Sequence, residues 1–247
     1  MMELLLALLV VGQGAPVGPA IVGPSEWSRY EAVRAPACIT VDGMITEKEW
    51  GKASAAADFT DLFHPERPVA QLTTAKMMWD DKYLYVAFEA VDNDVYATMT
   101  NFDDFIFMEE VVEVYIDPEG QGRHYWEIEV SPRNVVLDLN ITRGGWQVFA
   151  GTLKGYDVKG LVTAAKVYGT LDDREDRDEK WTTEIAIPWS EFAGRRVSVP
   201  PRIGDSWRVQ LFRIDRPKDA ELQITSWSKS PGVFHEPKNF GVVTFRR

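Results

Sequence analysis

Between Ala37 and Arg247 no stretch keeps apolar residues at a three-to-four spacing long enough for a packed helix; apolar and polar residues alternate in short runs instead. In Tyr125–Ser131, Trp126, Ile128 and Val130 point one way while Tyr125, Glu127, Glu129 and Ser131 point the other. Val111–Asp117 sets Val112, Val114 and Ile116 against Glu113, Tyr115 and Asp117, and Trp181–Trp189 sets Trp181, Thr183, Ile185 and Ile187 against Thr182, Glu184 and Ala186. A period of two is the signature of strands with one face in a core. Thr73–Trp79 and Tyr83–Ala90, separated by Asp80-Asp81-Lys82, read as a hairpin. Ile39–Val41, Val135–Thr142, Leu161–Thr170, Trp207–Ile214, Ile224–Ser228 and Val242–Arg247 read as further strands, with Asp42-Gly43 and Gly144-Gly145 as turns. Thr46 followed by Glu49 matches a capping box and predicts one short helix through Trp50. About ten short strands without βαβ alternation predict an all-β chain, an antiparallel two-sheet sandwich of immunoglobulin-like or jelly-roll-like form with one or two short helices. A chain of 247 residues suits one large domain of that kind.

The alternation also predicts that Glu113, Tyr115, Glu127 and Glu129 share an outer, solvated face. The net charge of −11 disfavours nucleic acid and anionic lipid as partners. Cys38 is the lone cysteine and the three histidines lack HxxxH spacing, which excludes an internal disulfide and leaves little for a histidine-rich metal centre. No Ser-His-Asp order, HExxH, Walker loop or dinucleotide turn is present. Glu113 and Glu129 have the residue types of a glycosidase pair, but that chemistry needs carboxyls about 5–9.5 Å apart across a cleft, with desolvation that an exposed sheet does not supply. The reading is a non-enzyme.

Leu4–Val11 is an eight-residue apolar run followed by small and turn-forming residues. It is far short of the roughly 20 residues of a membrane span and fits a secretory signal over 1–15, although Met-Met-Glu before it carries no Lys or Arg. A buried apolar strand is the other reading. Prolines at 16, 19, 24 and 36 mark 16–35 as a spacer and 36–247 as the domain, placing the protein outside the cell or in a periplasm.

Several phrases follow one another in order: Ile39-Thr-Val-Asp42-Gly43 with Glu49-Trp50, Met78-Trp79-Asp80-Asp81-Lys82-Tyr83-Leu84-Tyr85-Val86, and Val112-Glu113-Val114-Tyr115-Ile116-Asp117. Then come Trp126-Glu127-Ile128-Glu129-Val130, Trp181-Thr182-Thr183-Glu184-Ile185-Ala186-Ile187-Pro188-Trp189, Phe212-Arg213, Ser226-Trp227-Ser228 and Phe240-Gly241. From about Pro36 to Arg247 this series resembles the family 9 carbohydrate-binding modules, calcium-associated β-sandwiches related to DOMON-like domains. The resemblance implies non-catalytic binding of a glycan or oligosaccharide end, with a larger secreted enzyme as a further partner.

In the sugar-binding members two tryptophans clamp a terminal ring; their positions here hold Phe107 and Phe234. Glu113 matches the glutamate that bonds sugar hydroxyls. The family's assisting arginine falls at about Glu129, with its charge reversed, and the family asparagine has no counterpart between Ser230 and Val233. Sugar rings offer flat C–H patches to aromatic faces and hydroxyls to fixed donors and acceptors, so rings on loops beside carboxylates are the natural platform. Either Phe serves as such a platform or plugs the end of the sandwich. His235 either donates to a hydroxyl or caps the Glu236 turn.

Asp92-Asn93-Asp94 offers hard oxygens to calcium through Asp92 and Asp94, or forms an Asx turn. Asp92 falls where the family carries a metal-linked aspartate, which implies a structural calcium. The run Asp172–Glu179 reads as a solvated loop. The same resemblance admits a haem-binding electron-transfer domain, with ligands from His64, His124, His235 or the seven methionines, or an accessory protein-interaction domain of a glycan-degrading system.

Overall fold

A computed structural model describes residues 27–142, 152–153 and 155–247. The predicted signal and most of the predicted spacer, together with the Gly144-Gly145 turn, lie outside the described residues. Among the described residues thirteen strands occur in chain order: β1 Arg29–Arg34, β2 Thr60–Asp61, β3 Thr73–Trp79, β4 Tyr83–Val91, β5 Val111–Asp117, β6 Tyr125–Val130 and β7 Val136–Ile141. They continue with β8 Thr152–Leu153, β9 Val162–Tyr168, β10 Lys180–Pro188, β11 Ser206–Asp215, β12 Gln223–Ser226 and β13 Gly241–Phe245. The helical segments among the described residues are short 3-10 turns, such as Lys48–Lys52 and Ile106–Met108.

All thirteen strands belong to one continuous ladder, β8-β7-β6-β5-β11-β13-β1-β3-β4-β10-β9, with β12 and β2 branching from β11. The expectation of two separate sheets is therefore replaced by one curled sheet, and β1 is the reason. Its Arg29–Ala32 pair in parallel with Val242–Phe245 of β13, and its Val33 and Arg34 then pair in parallel with Met78 and Trp79 of β3. Every other pairing is antiparallel. β1 also falls inside the predicted 16–35 spacer, which is a correction: the alternation that buries Tyr30 and Ala32 is short and flanked by Pro24 and Pro36.

The curl encloses one core. Val112, Val114, Ile128, Val130, Leu211 and Phe245 from one half meet Met77, Val86, Phe88, Trp181 and Ile185 from the other. Trp189, Phe192, Trp207 and Phe245 close part of it through edge-to-face contacts at 4.9–5.8 Å, a favoured aromatic geometry.

Ile39–Val41 is not a strand, and the capping box does not form: Glu47, not Thr46, stands at the cap and makes no side-chain bond. This segment is fixed by Glu184 instead. Its Oε2 accepts the Asp42 and Gly43 N–H groups, each at 3.0 Å, and its Oε1 accepts the Trp50 indole N–H at 2.8 Å. Gly43 has φ +83°, and a Cβ there would stand 2.8 Å from the Ala165 backbone, so the turn requires glycine. Thr182, Glu184 and Ala186, expected on a wet face, are buried beneath it.

Candidate functional site

Register builds the site. Glu113 of β5 lies opposite Glu129 of β6 on one side and Phe212 of β11 on the other, and Tyr115 lies opposite Glu127 in the next row. These residues share one sheet face by the period-two rule. That face is not solvated as predicted: Glu113 and Glu129 are each 1% exposed and Glu127 is 4% exposed. The reason is tertiary. Leu62, Met99, Ile106, Phe107, Phe234 and Phe240, mostly from connections far apart in sequence, fold over it into a second apolar cluster.

The five predicted sugar-binding residues meet there. The Phe234 ring sits 4.7 Å from that of Phe212, next to Glu113 in register. Phe107 packs into the same cluster, and its carbonyl accepts from Arg216 Nη2 at 3.4 Å. Both rings are half-buried, neither free-standing nor sealed. His235 Nδ1 lies 3.0 Å from the Tyr125 hydroxyl and 3.9 Å from Glu127 Oε2. Glu127, Tyr115 and Tyr125 complete the group, and the alternation of β5 and β6 had already placed them on the Glu113 face. Phe63, Phe102 and Phe105 are exposed on neighbouring connections.

Burial pushes the Glu113 carboxyl well up, with repulsion from Glu127 adding to it; Glu129 is raised by burial and then by Glu113 and Glu127. Burial pushes His235 down. Tyr115 donates to Glu127 Oε1 at 2.7 Å, yet Oε2 of Glu113, Glu127 and Glu129 each lacks a hydrogen-bond partner. Carboxyls that share protons can both donate and accept, which suits hydroxyl ligands.

The metal candidates divide. Asp92 is fully buried; its Oδ2 accepts from Arg213 Nη2 at 2.8 Å and its Oδ1 accepts the Asp94 N–H at 3.0 Å, so the Asx turn exists. Ligand atoms of Asp92, Glu110 and Asp215 lie within 4.8 Å of one another. Glu110 Oε1 and both Asp215 oxygens have no hydrogen-bond partner, and Arg213 Nη2 lies 3.6 Å from Asp215. This donor set fits a hard divalent cation. Asp94 stands outside that trio: its carboxylate accepts from Arg174 and from the Lys218 N–H at 2.6 Å, and although burial raises its pKa these contacts bring it below the ordinary value.

The histidines of the haem alternative lie in three different connections, with His64 and His124 exposed. A recess of about 490 Å³ lined by Arg34, Cys38, Asp80, Lys82 and Arg247 shares no residue with either cluster.

A curled all-β sheet with aromatic rings over a carboxyl cluster defines a class of ligand-holding module, and the sequence assigns it: this chain belongs to the family described as "Carbohydrate family 9 binding domain-like", matched over residues 41–247. It is 31% identical over 152 residues to "Exoglucanase XynX" of Acetivibrio thermocellus, covering 62% of this chain and 12% of that protein. It is 26% identical over 119 residues to "Endo-1,4-beta-xylanase A" of Thermoanaerobacterium saccharolyticum, covering 48% of this chain and 8% of that one. Both relatives are therefore far longer than the part they share with it. Among solved structures, a protein from Bacteroides uniformis ATCC 8492 superposes with a TM-score of 0.67 at 16% identity, over 89% of this chain and all of the other. A family 9 module from Caldicellulosiruptor kristjanssonii, solved in complex with cellotriose, gives a TM-score of 0.60 at 15% identity over 89% and 94% of the two chains. At such identities these structures share the fold.

Proposed function

We propose that this chain is a non-catalytic module that holds a glycan end against Phe107 and Phe234, with Glu113, Glu127, Glu129 and His235 bonding its hydroxyls. The observation that carries this reading is the set of three adjacent buried carboxyls, each with an unpartnered oxygen, beneath two half-buried loop phenyl rings. Membership of a carbohydrate-binding family supports it, as do fold neighbours solved with cellotriose and with glucose. The relatives' names favour attachment to a larger glycan-degrading enzyme, and the apolar Leu4–Val11 run favours export by a signal over 1–15. No helix among the described residues is long and apolar enough to cross a membrane. A glycan array followed by titration with cellotriose and glucose tests the reading. Retention of neutral sugar ends by the folded protein is expected, and a folded protein that retains none would sink it.

Calcium completes the proposal, held by Asp92, Glu110 and Asp215. Without it, burial and then Asp92 push Glu110 up to about 10, and burial pushes Asp215 up to about 6 despite Arg213. Both groups then bind more protons folded than unfolded, so stability falls as pH rises. The Asp94–Arg174 pair acts in the opposite direction, but its window lies below the ordinary carboxyl value of 3.8. The melting temperature of chelator-treated protein is expected to fall between about pH 5 and 8, and added calcium to restore it. A rise over that range without metal, or no response to calcium, would remove the ion from the proposal.

A further inference from the structure

We infer that the glycan end taken by this chain is a cationic one, an unacetylated amino sugar whose ammonium group is received by Glu113, Glu127 and Glu129; the inference rests on the reading above and names its ligand class. Glu113 lies between Glu129 and Phe212 in one cross-strand row, and Glu127 lies opposite Tyr115 in the next row of the same face. Among the described residues none of the three carboxyls forms an ion pair with Lys or Arg. The basic group in reach is His235, whose Nδ1 stands 3.9 Å from Glu127 Oε2, and burial pushes that imidazole toward its neutral form. Arg216, whose Nη2 bonds the Phe107 carbonyl, acts on Glu109 and Glu110 instead. Buried carboxyls without a protein cation are neutralised by shared protons or by a cation from outside.

A bare metal ion is the poorer occupant, because these carboxyls are not among the described trios whose ligand atoms come within 4.8 Å of one another. An ammonium group brings three N–H donors of its own, and its bonds to carboxylates are of the strong, charge-assisted kind. It also arrives on a sugar ring whose C–H face calls for an aromatic cover, which Phe107 and Phe234 supply.

A further polar group continues the row. Ser226 of β12 lies opposite Phe212 and so shares the face of Glu113. It is 1% exposed, and its Oγ has no hydrogen-bond partner. Two strand spacings, about 10 Å, separate it from Glu113, with the Phe234 ring over that of Phe212 between them. That span suits an oligosaccharide rather than an ion, and a sugar hydroxyl bonding Ser226 recovers the cost of its burial. The way in passes His235, whose side chain is 23% exposed and lies against both Glu127 and Tyr125. Burial first, then repulsion among the three glutamates, raises Glu113 and Glu129, so the unliganded trio holds shared protons. The exchange on binding is one cation for one proton: the ammonium enters and a carboxyl proton passes to the buffer.

The test compares three 1,4-linked trimers that differ at the second carbon alone, by calorimetry on the full chain at about pH 6, where an amino group is protonated. Cellotriose carries a hydroxyl there, the glucosamine trimer an ammonium, and the N-acetylglucosamine trimer an uncharged amide. The glucosamine trimer is expected to bind at least about tenfold tighter than either of the others. It is also expected to release about one proton, read from the dependence of the heat on the buffer's ionisation enthalpy. The net charge of −11 attracts any cation at long range. At about 0.5 M sodium chloride the Debye length is about 4 Å, which removes that attraction and spares buried contacts. A preference abolished by that salt overturns the inference. Glu127→Gln is expected to bring the ratio of the glucosamine-trimer and cellotriose affinities close to one, and an unchanged ratio overturns the assignment to the trio. Should Glu127→Gln fail to fold, proton release by the unsubstituted chain decides, and none with the glucosamine trimer overturns the inference. Equal affinities for cellotriose and the glucosamine trimer overturn it while leaving the underlying reading in place, whereas a folded chain that binds none of the three removes both.

Discussion

Arg213→Met is expected to cost the fold about 3–5 kcal/mol, read as a shift of the urea midpoint at pH 7. Arg213 is 1% exposed. Its Nη2 donates to Asp92 at 2.8 Å and its Nη1 to the Val91 carbonyl at 2.7 Å, and it also faces Asp215. The methionine replaces the volume of the stem but strands Asp92 and Asp215 beside Glu110 with no cation between them. Breaking a buried pair from one side is far costlier than replacing the whole pair, because the remaining charge stays buried. Calcium should recover part of the loss if the three carboxyls hold it. A midpoint shift worth less than about 1 kcal/mol would mean the cluster is already neutral by protonation and the arginine dispensable.

The second large effect concerns ligand retention. Phe234→Ala is expected to lower affinity for cellotriose at least about tenfold, and the double variant with Phe107→Ala to abolish retention, since each ring face contributes about 1–3 kcal/mol when it covers an apolar surface. Phe234 also packs on Phe212, so its truncation loosens the fold as well. Phe234→Leu separates the roles, because leucine keeps most of the packing and removes the flat face. Lost binding with a nearly unchanged melting temperature in Phe234→Leu supports the platform. A falling melting temperature in the alanine variants with affinity intact would make both rings plugs.

Much of this was legible along the chain. The β3–β4 hairpin lies within a residue of its predicted bounds because its cause is local: alternation on both arms and an acidic turn, with Asp80 Oδ1 accepting the Lys82 and Tyr83 N–H groups. Alternation likewise put Glu113, Glu127 and Glu129 on one face. It had no means of showing that the face is covered, because much of the cover comes from Leu62, Phe234 and Phe240, remote in sequence. β1 escaped notice because parallel pairing leaves no turn signal and prolines flank it. Glu110 and Asp215 escaped because a metal-type cluster assembled from the ends of different strands has no spacing to read. The charges of Arg213 and Asp215, alternating with Phe212 and Ile214 along one strand, were the available clue.

The parallel seam between β1 and β13 has a mechanical consequence. Tension entering before β1 and leaving after β13 pulls the two strands lengthwise past each other, so the load is shared along the Arg29–Ala32 and Val242–Phe245 pairing rather than peeled open one bond at a time. A module tethered through its first and last strands while gripping a glycan would thus meet drag in its most resistant direction.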